Sequence, residues 1–187
     1  WNEEEWQLFS GFLKSQAEHM SKGLVPTYIR EFAISNKINA IIYELFKRNS
    51  DIKYDLSQSQ HTGIEIFELL ARDKKLEIRT YVARNHNIPV TALELLAKDP
   101  SKDWFLNPRV YVAGNPNTSA ATLELLARDK VIEVREAVAS NPNTPVVILE
   151  LLAKKKSAMV RYEVAINPNT PVKLTVELFD ELAKHVS

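Results

Sequence analysis

The sequence predicts an all-α protein in which short helical units repeat along the chain and stack as a solenoid. Three observations support this fold class. A Glu-Leu-Leu-Ala block recurs at a nearly constant spacing, a block of valines and alanines travels with it, and nearly identical Asn-Pro-Asn-Thr turns follow that second block. Repetition at a fixed period of 20 to 50 residues is characteristic of repeat architectures.

The first block marks one helix of each unit, here called helix A. Its copies begin at Glu68, Glu94, Glu124 and Glu150. The spacing is 26 residues except between the second and third copies, where it is 30, so that unit carries four extra residues. The block favours helix and places its apolar residues on one side. Before the later copies, a threonine followed by proline predicts an N-cap with proline at the first helical position.

The second block marks the other helix of the unit, helix B. Val134, Ala137 and Val138 have the spacing of residues that share one helix face. Asn141 lies before Pro142, and a residue before proline is disfavoured in the helical region, so helix B should end there. Since 26 residues cannot hold two long helices and two turns, we expect one helix per unit to be short or 3₁₀.

These blocks divide the chain into one continuous domain of about six units. We expect residues 1–23 to form an N-terminal helical cap and 24–67 to be degenerate repeats. Residues 68–176 hold four clear units, of which 94–123 has the insertion, and 177–187 would be a C-terminal cap helix. The chain begins at Trp1 without an initiator methionine, so we expect it to be part of a longer or processed protein.

The segment from Val134 to Pro145, followed by Leu149–Ala153, resembles the leucine-rich repeat variant family, a bacterial relative of HEAT-like helical repeats. The resemblance covers about residues 68–176. It implies a right-handed superhelix of alternating α-helices and short, often 3₁₀, helices. Some members of that family also carry an iron–sulfur module with clustered cysteines. This chain has no cysteine, so we expect no iron–sulfur cluster. It has no glycine-rich phosphate-binding motif either, and we expect no cofactor.

Composition narrows the function classes. Lysine plus arginine equals aspartate plus glutamate at 24 each, so the net charge does not favour binding to nucleic acid or to an anionic membrane. The lack of cysteine excludes thiolate metal sites and cysteine nucleophiles. No apolar stretch is long enough to span a bilayer. We therefore expect a cytoplasmic protein that does not associate with membranes.

A row of arginines precedes the asparagine at the end of each helix B by six residues: Arg30, Arg79, Arg109, Arg135 and Arg161. Such a row could bind phosphate or an acidic peptide. Asp73 and Asp129 precede two of these arginines by a further six residues, as in the Asp–Arg ladder of HEAT-like repeats. We favour a structural ladder, and we expect the asparagines to satisfy backbone groups at the turns.

Helix B also carries residues that vary between units beside a valine and alanine that hardly change. If helix B lines the concave face, this surface binds the partner, through Tyr81, Arg84, Tyr111, Tyr162 and Glu163. The alternative is that variable positions are merely tolerant. Trp104 and Phe105, in the insertion, would be partner anchors if exposed, but we favour a buried plug in the irregular unit.

No active site is recognisable, and no metal site is expected, since His61 and His86 lack a repeating third ligand. The sequence thus predicts a non-enzymatic scaffold that binds a protein or peptide of unknown identity. One alternative is a nucleic-acid-binding HEAT-like module, and Asp103-Trp104 faintly resembles the DNA glycosylases of that class, which would make it an enzyme. Another is a structural segment of a longer multidomain protein.

Overall fold

The structure is a computed structural model that describes residues 50–60, 62–103 and 106–184. Within these ranges the chain forms ten α-helices and no strand, which confirms the all-α prediction for this part. The predicted N-terminal cap, most of the degenerate repeats, His61, Trp104 and Phe105 lie outside the described residues. Arg30 lies outside them as well.

The helices are short and closely spaced. In chain order they are α1 (Ser50–Gln58), α2 (Ile64–Leu70), α3 (Leu76–Arg84), α4 (Val90–Leu96), α5 (Pro108–Gly114), α6 (Ala120–Leu126), α7 (Ile132–Ser140), α8 (Val146–Ala153), α9 (Ala158–Ile166) and α10 (Val172–Ala183). The even-numbered helices correspond to helix A and the odd-numbered ones to helix B. Both kinds are short α-helices, so the sequence expectation of one short helix per unit was too narrow, and no 3₁₀ helix occurs in the described ranges.

The B helices pack against one another in sequence order: α1 on α3, α3 on α5, α5 on α7 and α7 on α9, after which α9 packs on α10. Each of the helices α2, α4, α6 and α8 contacts the B helix before it and the B helix after it. The core therefore continues from unit to unit. No described helix could bury its apolar side without its neighbours.

The most buried positions of helix B are a valine and the alanine after it. They are Val82–Ala83, Val112–Ala113, Val138–Ala139 and Val164–Ala165, each at most 4% exposed. Burying a valine contributes about 1.5–3 kcal/mol. Leucines of helix A, such as Leu93, Leu123 and Leu149, complete the core with no exposed surface. Of the predicted helix B face, Val134 and Val138 are buried, whereas Ala137 is only partly buried and Ala139 is buried instead.

The start of helix A differs from the predicted capping. In α8 the N-cap residue is Pro145 rather than Thr144, and no side chain caps the helix. The Thr144 hydroxyl instead donates backwards to the Val138 carbonyl at 2.6 Å. The threonine therefore satisfies the end of the preceding helix B, which has carbonyls without helical partners.

The four-residue insertion changes the unit that contains it. Helix α5 has seven residues, whereas the other B helices have nine, and it begins at Pro108 with Asn107 as its N-cap. The Asn107 side chain accepts from the Arg109 amide at 3.1 Å. Pro108 fits the first helical position, where its missing N–H is not needed. The longer connection thus shortens helix B while leaving its C-terminal half in register.

Among the described helices, the longest has 12 residues, and none combines the length and apolar character needed to cross a bilayer.

Candidate functional site

Asparagines connect the units at the turns from helix B to helix A. The Asn141 amide donates to the carbonyls of Ala113 and Asn115 at 2.7 and 3.0 Å, and Asn167 donates in the same way to Ala139 and Asn141 at 2.6 and 2.9 Å. Asn85 and Asn115 also donate to carbonyls of the preceding unit. All four are buried. We call these residues the asparagine ladder.

The acceptor oxygen of each ladder asparagine is used as well. Asn141 Oδ1 accepts from the Asn143 amide two residues later at 2.9 Å, and the other three repeat this turn. Both ends of the side chain are therefore satisfied without water. This accounts for the burial of a strongly polar residue, which would otherwise cost free energy.

The arginines form a second row along the turns from helix A to helix B. Arg79 Nε donates to Asp99 Oδ2 at 2.5 Å, and Arg109 Nε donates to Asp129 Oδ2 at 2.7 Å. Each carboxylate belongs to the next unit. Lys53 pairs with Asp73 in the same way, at 2.5 Å. We call this row the charge ladder.

The pairing differs from the one suggested by the sequence. Asp73 lies six residues before Arg79, yet it offers that arginine only its backbone carbonyl, at 2.8 Å. Arg135 likewise bonds the carbonyl of Asp129 at 2.6 Å. The six-residue spacing from aspartate to arginine arises because the guanidinium donates back to a carbonyl of the turn before its own helix. The ion pairs instead join arginines and aspartates of successive units. Asp99, which sequence reasoning missed, belongs to the ladder.

The charge ladder is not continued by the later arginines. The Nε atoms of Arg135 and Arg161 are buried and have no hydrogen-bond partner within the described part of the chain. No ion pair between described residues includes either of them.

A group of aromatic and basic side chains lies on the exposed side of the first three B helices, α1, α3 and α5. Tyr54 of α1 and Tyr81 of α3 meet edge to face with ring centroids 4.5 Å apart. The Arg84 guanidinium lies over the Tyr111 ring of α5, 5.1 Å from its centroid. These contacts hold three rings and a cation in fixed positions. The pKa of the Tyr81 hydroxyl is raised, first by its hydrogen bond with the Tyr54 side chain and then by the electrostatic effect of the same residue.

Two adjoining cavities lie beside these side chains. The first, of about 490 Å³, is lined by Tyr54, Tyr81 and the turn that follows α3. The second, of about 360 Å³, is lined by Tyr111, Gly114 and Ala137. Arg84 and His86 border both cavities, so the two lie side by side along α1, α3 and α5. We call the two cavities together the tyrosine groove.

Further along the row of B helices the surface becomes acidic. The pKa of Glu136 in α7 is raised, first by partial burial and then by the negative charges of Glu133 and Glu163, while Arg135 opposes the shift. Glu163 of α9 therefore acts electrostatically on α7. Tyr162 is 43% exposed and lies on α9, away from the groove.

The predicted partner-binding residues thus separate into two regions. Tyr81, Arg84 and Tyr111 come together in the tyrosine groove, while Tyr162 and Glu163 belong to the acidic region. Sequence reasoning missed Tyr54, and it considered His86 only as a metal ligand. Tyr54 lies on α1, where the sequence matches the repeated blocks too weakly to align this residue with Tyr81.

The described residues contain no group of three or more histidine, aspartate or glutamate side chains arranged to hold a metal ion. Comparison with known proteins adds no further assignment. No family model matches this chain, and neither does any curated protein or solved structure.

Proposed function

We propose that this protein is a non-enzymatic binding scaffold of the leucine-rich repeat variant type. Its helix pairs would stack as a right-handed solenoid of about six units, with the row of B helices on the concave side. The packing of each B helix on the next supports this arrangement. So does the asparagine ladder, whose hydrogen bonds join residues 26 and 28 positions apart.

The tyrosine groove is the observation that carries the proposed function. Its two cavities together have the volume of a site for several side chains of a bound peptide. Tyrosine and arginine are enriched among the residues that dominate binding energy at protein interfaces. Here they are already held by the Tyr54–Tyr81 and Arg84–Tyr111 contacts, so little side-chain entropy is lost on binding.

Charge along the B helices favours a protein partner over nucleic acid. Glu133, Glu136 and Glu163 would repel a phosphate backbone that continued from the groove along the row. A basic side chain of a partner would instead be attracted there, because neighbouring carboxylates already raise the pKa of Glu136. The partner segment we propose has aromatic or acidic residues at the groove and a lysine or arginine further along.

The proposal can be tested by selecting peptides from a random phage-displayed library on the immobilised protein and measuring their affinity by fluorescence anisotropy. Substituting Tyr111→Ala or Arg84→Ala should weaken a selected peptide about tenfold or more, as expected for interface hot spots. The matched control is Val147→Ala, because Val147 is 75% exposed on α8, outside the groove. It should leave the affinity unchanged.

Circular dichroism melts separate lost binding from lost folding. Arg84 is exposed, so Arg84→Ala should melt like the unsubstituted protein. Peptides that bind equally well to the Arg84→Ala and Tyr111→Ala proteins, or a library that yields no binder, would argue against the groove as the binding site.

A further inference from the structure

Each arginine of the charge ladder, together with the residue 20 positions later, is one step of the ladder. A step is complete when that residue is an aspartate paired with the arginine, as at Arg79 and Arg109. Asp99 accepts from both Nε and Nη2 of Arg79, at 2.5 and 3.3 Å, and its side chain is only 2% exposed. Arg109 pairs with Asp129 at 2.7 Å. In each case the acid is 20 residues after the basic residue, as it is for Lys53 and Asp73. The carboxylate thus occupies a position that the repeat defines.

At the next step the same position holds a lysine. Lys155 is 20 residues after Arg135. The Arg135 guanidinium still has the orientation seen in the completed steps, because its Nη1 donates to the carbonyls of Asp129 and Lys130 at 2.6 and 3.1 Å. Its Nε is buried and donates to no described residue. The hydrogen bonds of this guanidinium to described residues all come from Nη1, so Nη2 makes none. The two donors that hold Asp99 on Arg79 are therefore unused on Arg135.

Positive charge gathers around this step. Arg161 Nη1 donates to the carbonyls of Lys155 and Lys156 at 3.0 and 2.9 Å, which brings a second guanidinium to the same turn. Lys154 lies next to them in the chain. The nearby acidic residues do not neutralise this positive charge. Asp129 pairs with Arg109, and Glu136, whose pKa Arg135 lowers, forms no ion pair with Arg135 in the described structure.

We propose that Arg135 and Lys155 form a binding site for a carboxylate side chain of an acidic segment on another protein. The carboxylate would accept from Nε and Nη2 of Arg135 as Asp99 does from Arg79. Lys155 is partly exposed and has a flexible stem, so it can move aside and place its ammonium on the same carboxylate. Filling the step satisfies a buried N–H that otherwise costs free energy.

The structure favours a carboxylate over a phosphate backbone. A planar carboxylate is what the repeat places at the completed steps. A nucleic acid would need cations spaced along its length, and the charge ladder offers it Asp99 and Asp129 at the preceding steps instead. The basic region is therefore short, as suits one or two acidic side chains.

The test uses a capped hexaglutamate peptide as the probe and the Nε–H resonance of Arg135 in ¹⁵N NMR spectra as the readout. Titration should shift that resonance to a plateau while those of Arg79 and Arg109 stay fixed. Lys155→Asp completes the step internally. It should move the Arg135 resonance without peptide and weaken peptide binding at least about tenfold, as expected when a charge partner is lost.

Lys156→Asp is the matched control, because it makes the same charge change one residue away at an exposed position. It should lower the affinity by no more than about threefold, the effect of general electrostatics alone. Lys155→Gln removes the charge without completing the step. It should keep the peptide-induced shift at Arg135, which preserves the test if Lys155→Asp does not fold.

Three results would overturn the proposal. They are equal weakening by Lys155→Asp and Lys156→Asp, a peptide that shifts other resonances but not that of Arg135, and a site that responds to inorganic phosphate or an oligonucleotide but not to hexaglutamate. The charge ladder lies on the turns from helix A to helix B, whereas the tyrosine groove extends to the turn after α3. Failure of one site therefore leaves the other untouched.

Discussion

The asparagine ladder and the charge ladder join the same units in different ways. An asparagine of the first ladder donates to backbone carbonyls, which are present whatever residue supplies them. A step of the second ladder needs two particular side chains, one from each unit. The first ladder therefore persists through every described unit from Asn85 to Asn167. The second ends at Asp129, because Lys155 stands where an aspartate would pair with Arg135, and the Nε of Arg161 has no partner among the described residues either.

This difference separates what holds the units together from what is free to change. Buried amides whose nitrogen and oxygen are both hydrogen-bonded contribute to the register of the stack and tolerate little variation. The ladder ion pairs are largely buried, with side chains at most 15% exposed, so much of their attraction is offset by the cost of removing two charges from water. Their net contribution is therefore smaller, and a step without its carboxylate can serve another role. The predictions below test this division, beginning with the change that should cost most.

Asn141→Ala should be the most destabilising of these substitutions, at about 3 kcal/mol, because it leaves buried backbone groups without partners. It removes the bonds to the carbonyls of Ala113 and Asn115 and the bond from the Asn143 amide. Urea denaturation followed by circular dichroism measures the free energy of unfolding. The control is Asn143→Ala, an exposed asparagine with one bond to Pro116, which should cost about 1 kcal/mol or less. Equal decreases in the free energy of unfolding for the two variants would show that the asparagine ladder contributes no more to stability than an exposed asparagine does.

Arg109→Ala should cost somewhat less, about 1.5–3 kcal/mol, since it removes the cation that pairs with Asp129 and the donor to the carbonyls of Asp99 and Ser101. Arg128→Ala is the control. Arg128 pairs with Glu124 one helical turn away, and both side chains are more than half exposed, so its loss should change the unfolding free energy by under about 0.5 kcal/mol. The comparison fails if the two substitutions cannot be distinguished in urea.

Lys155→Asp should stabilise the protein by about 1 kcal/mol, because it gives Arg135 the carboxylate present at the completed steps. The gain should vanish in the Arg135→Ala background, where no guanidinium is available. This double-mutant cycle, measured by thermal unfolding, isolates the pairwise contribution. A gain that persists without Arg135 would mean that removal of a lysine, rather than completion of the ladder, is responsible.

The sequence was enough to predict the helices, because their signals are local and repeated. The spacing of Val134 and Val138 marked the buried face, and Asn141 before Pro142 marked the helix end. The partners of the ladders could not be predicted in this way. Arg79 pairs with Asp99, 20 residues later, and that spacing appears only once successive units are placed side by side.

Only part of the tyrosine groove was predicted, because some of its residues come together only through contacts between units. Tyr81 and Tyr111 stood out because they vary within a regular alignment. His86 belongs to a turn, and its place at the junction of two cavities depends on how α3 and α5 pack. Thr144 was mistaken for a cap because its best acceptor, the Val138 carbonyl, belongs to the preceding helix. Contacts between units carry information that residue spacing within one unit does not.

The smallest effect concerns Glu136, which reports on the interrupted step of the charge ladder. Its pKa is raised above the ordinary value of 4.5, so the folded state binds this proton more tightly than the unfolded state does. Ionised Glu136 is then slightly destabilising above its folded pKa, and the penalty fades as the pH drops through that pKa and is gone below 4.5. Glu136→Gln should therefore be more stable than the unsubstituted protein at pH 7 but not at pH 4.

Arg135 makes this titration sensitive to the ladder, because its positive charge lowers the pKa of Glu136 against the effects of burial, Glu133 and Glu163. Lys155→Asp places a carboxylate on Arg135 and so offsets the positive charge that lowers the pKa of Glu136, which should therefore rise further. Glu163→Gln should move it the other way. Carboxyl ¹³C NMR titrations measure both shifts directly. A Glu136 pKa that is the same in all three proteins would mean that α7 does not sense the charge at position 155, and that the interrupted step is not where the repeat spacing places it.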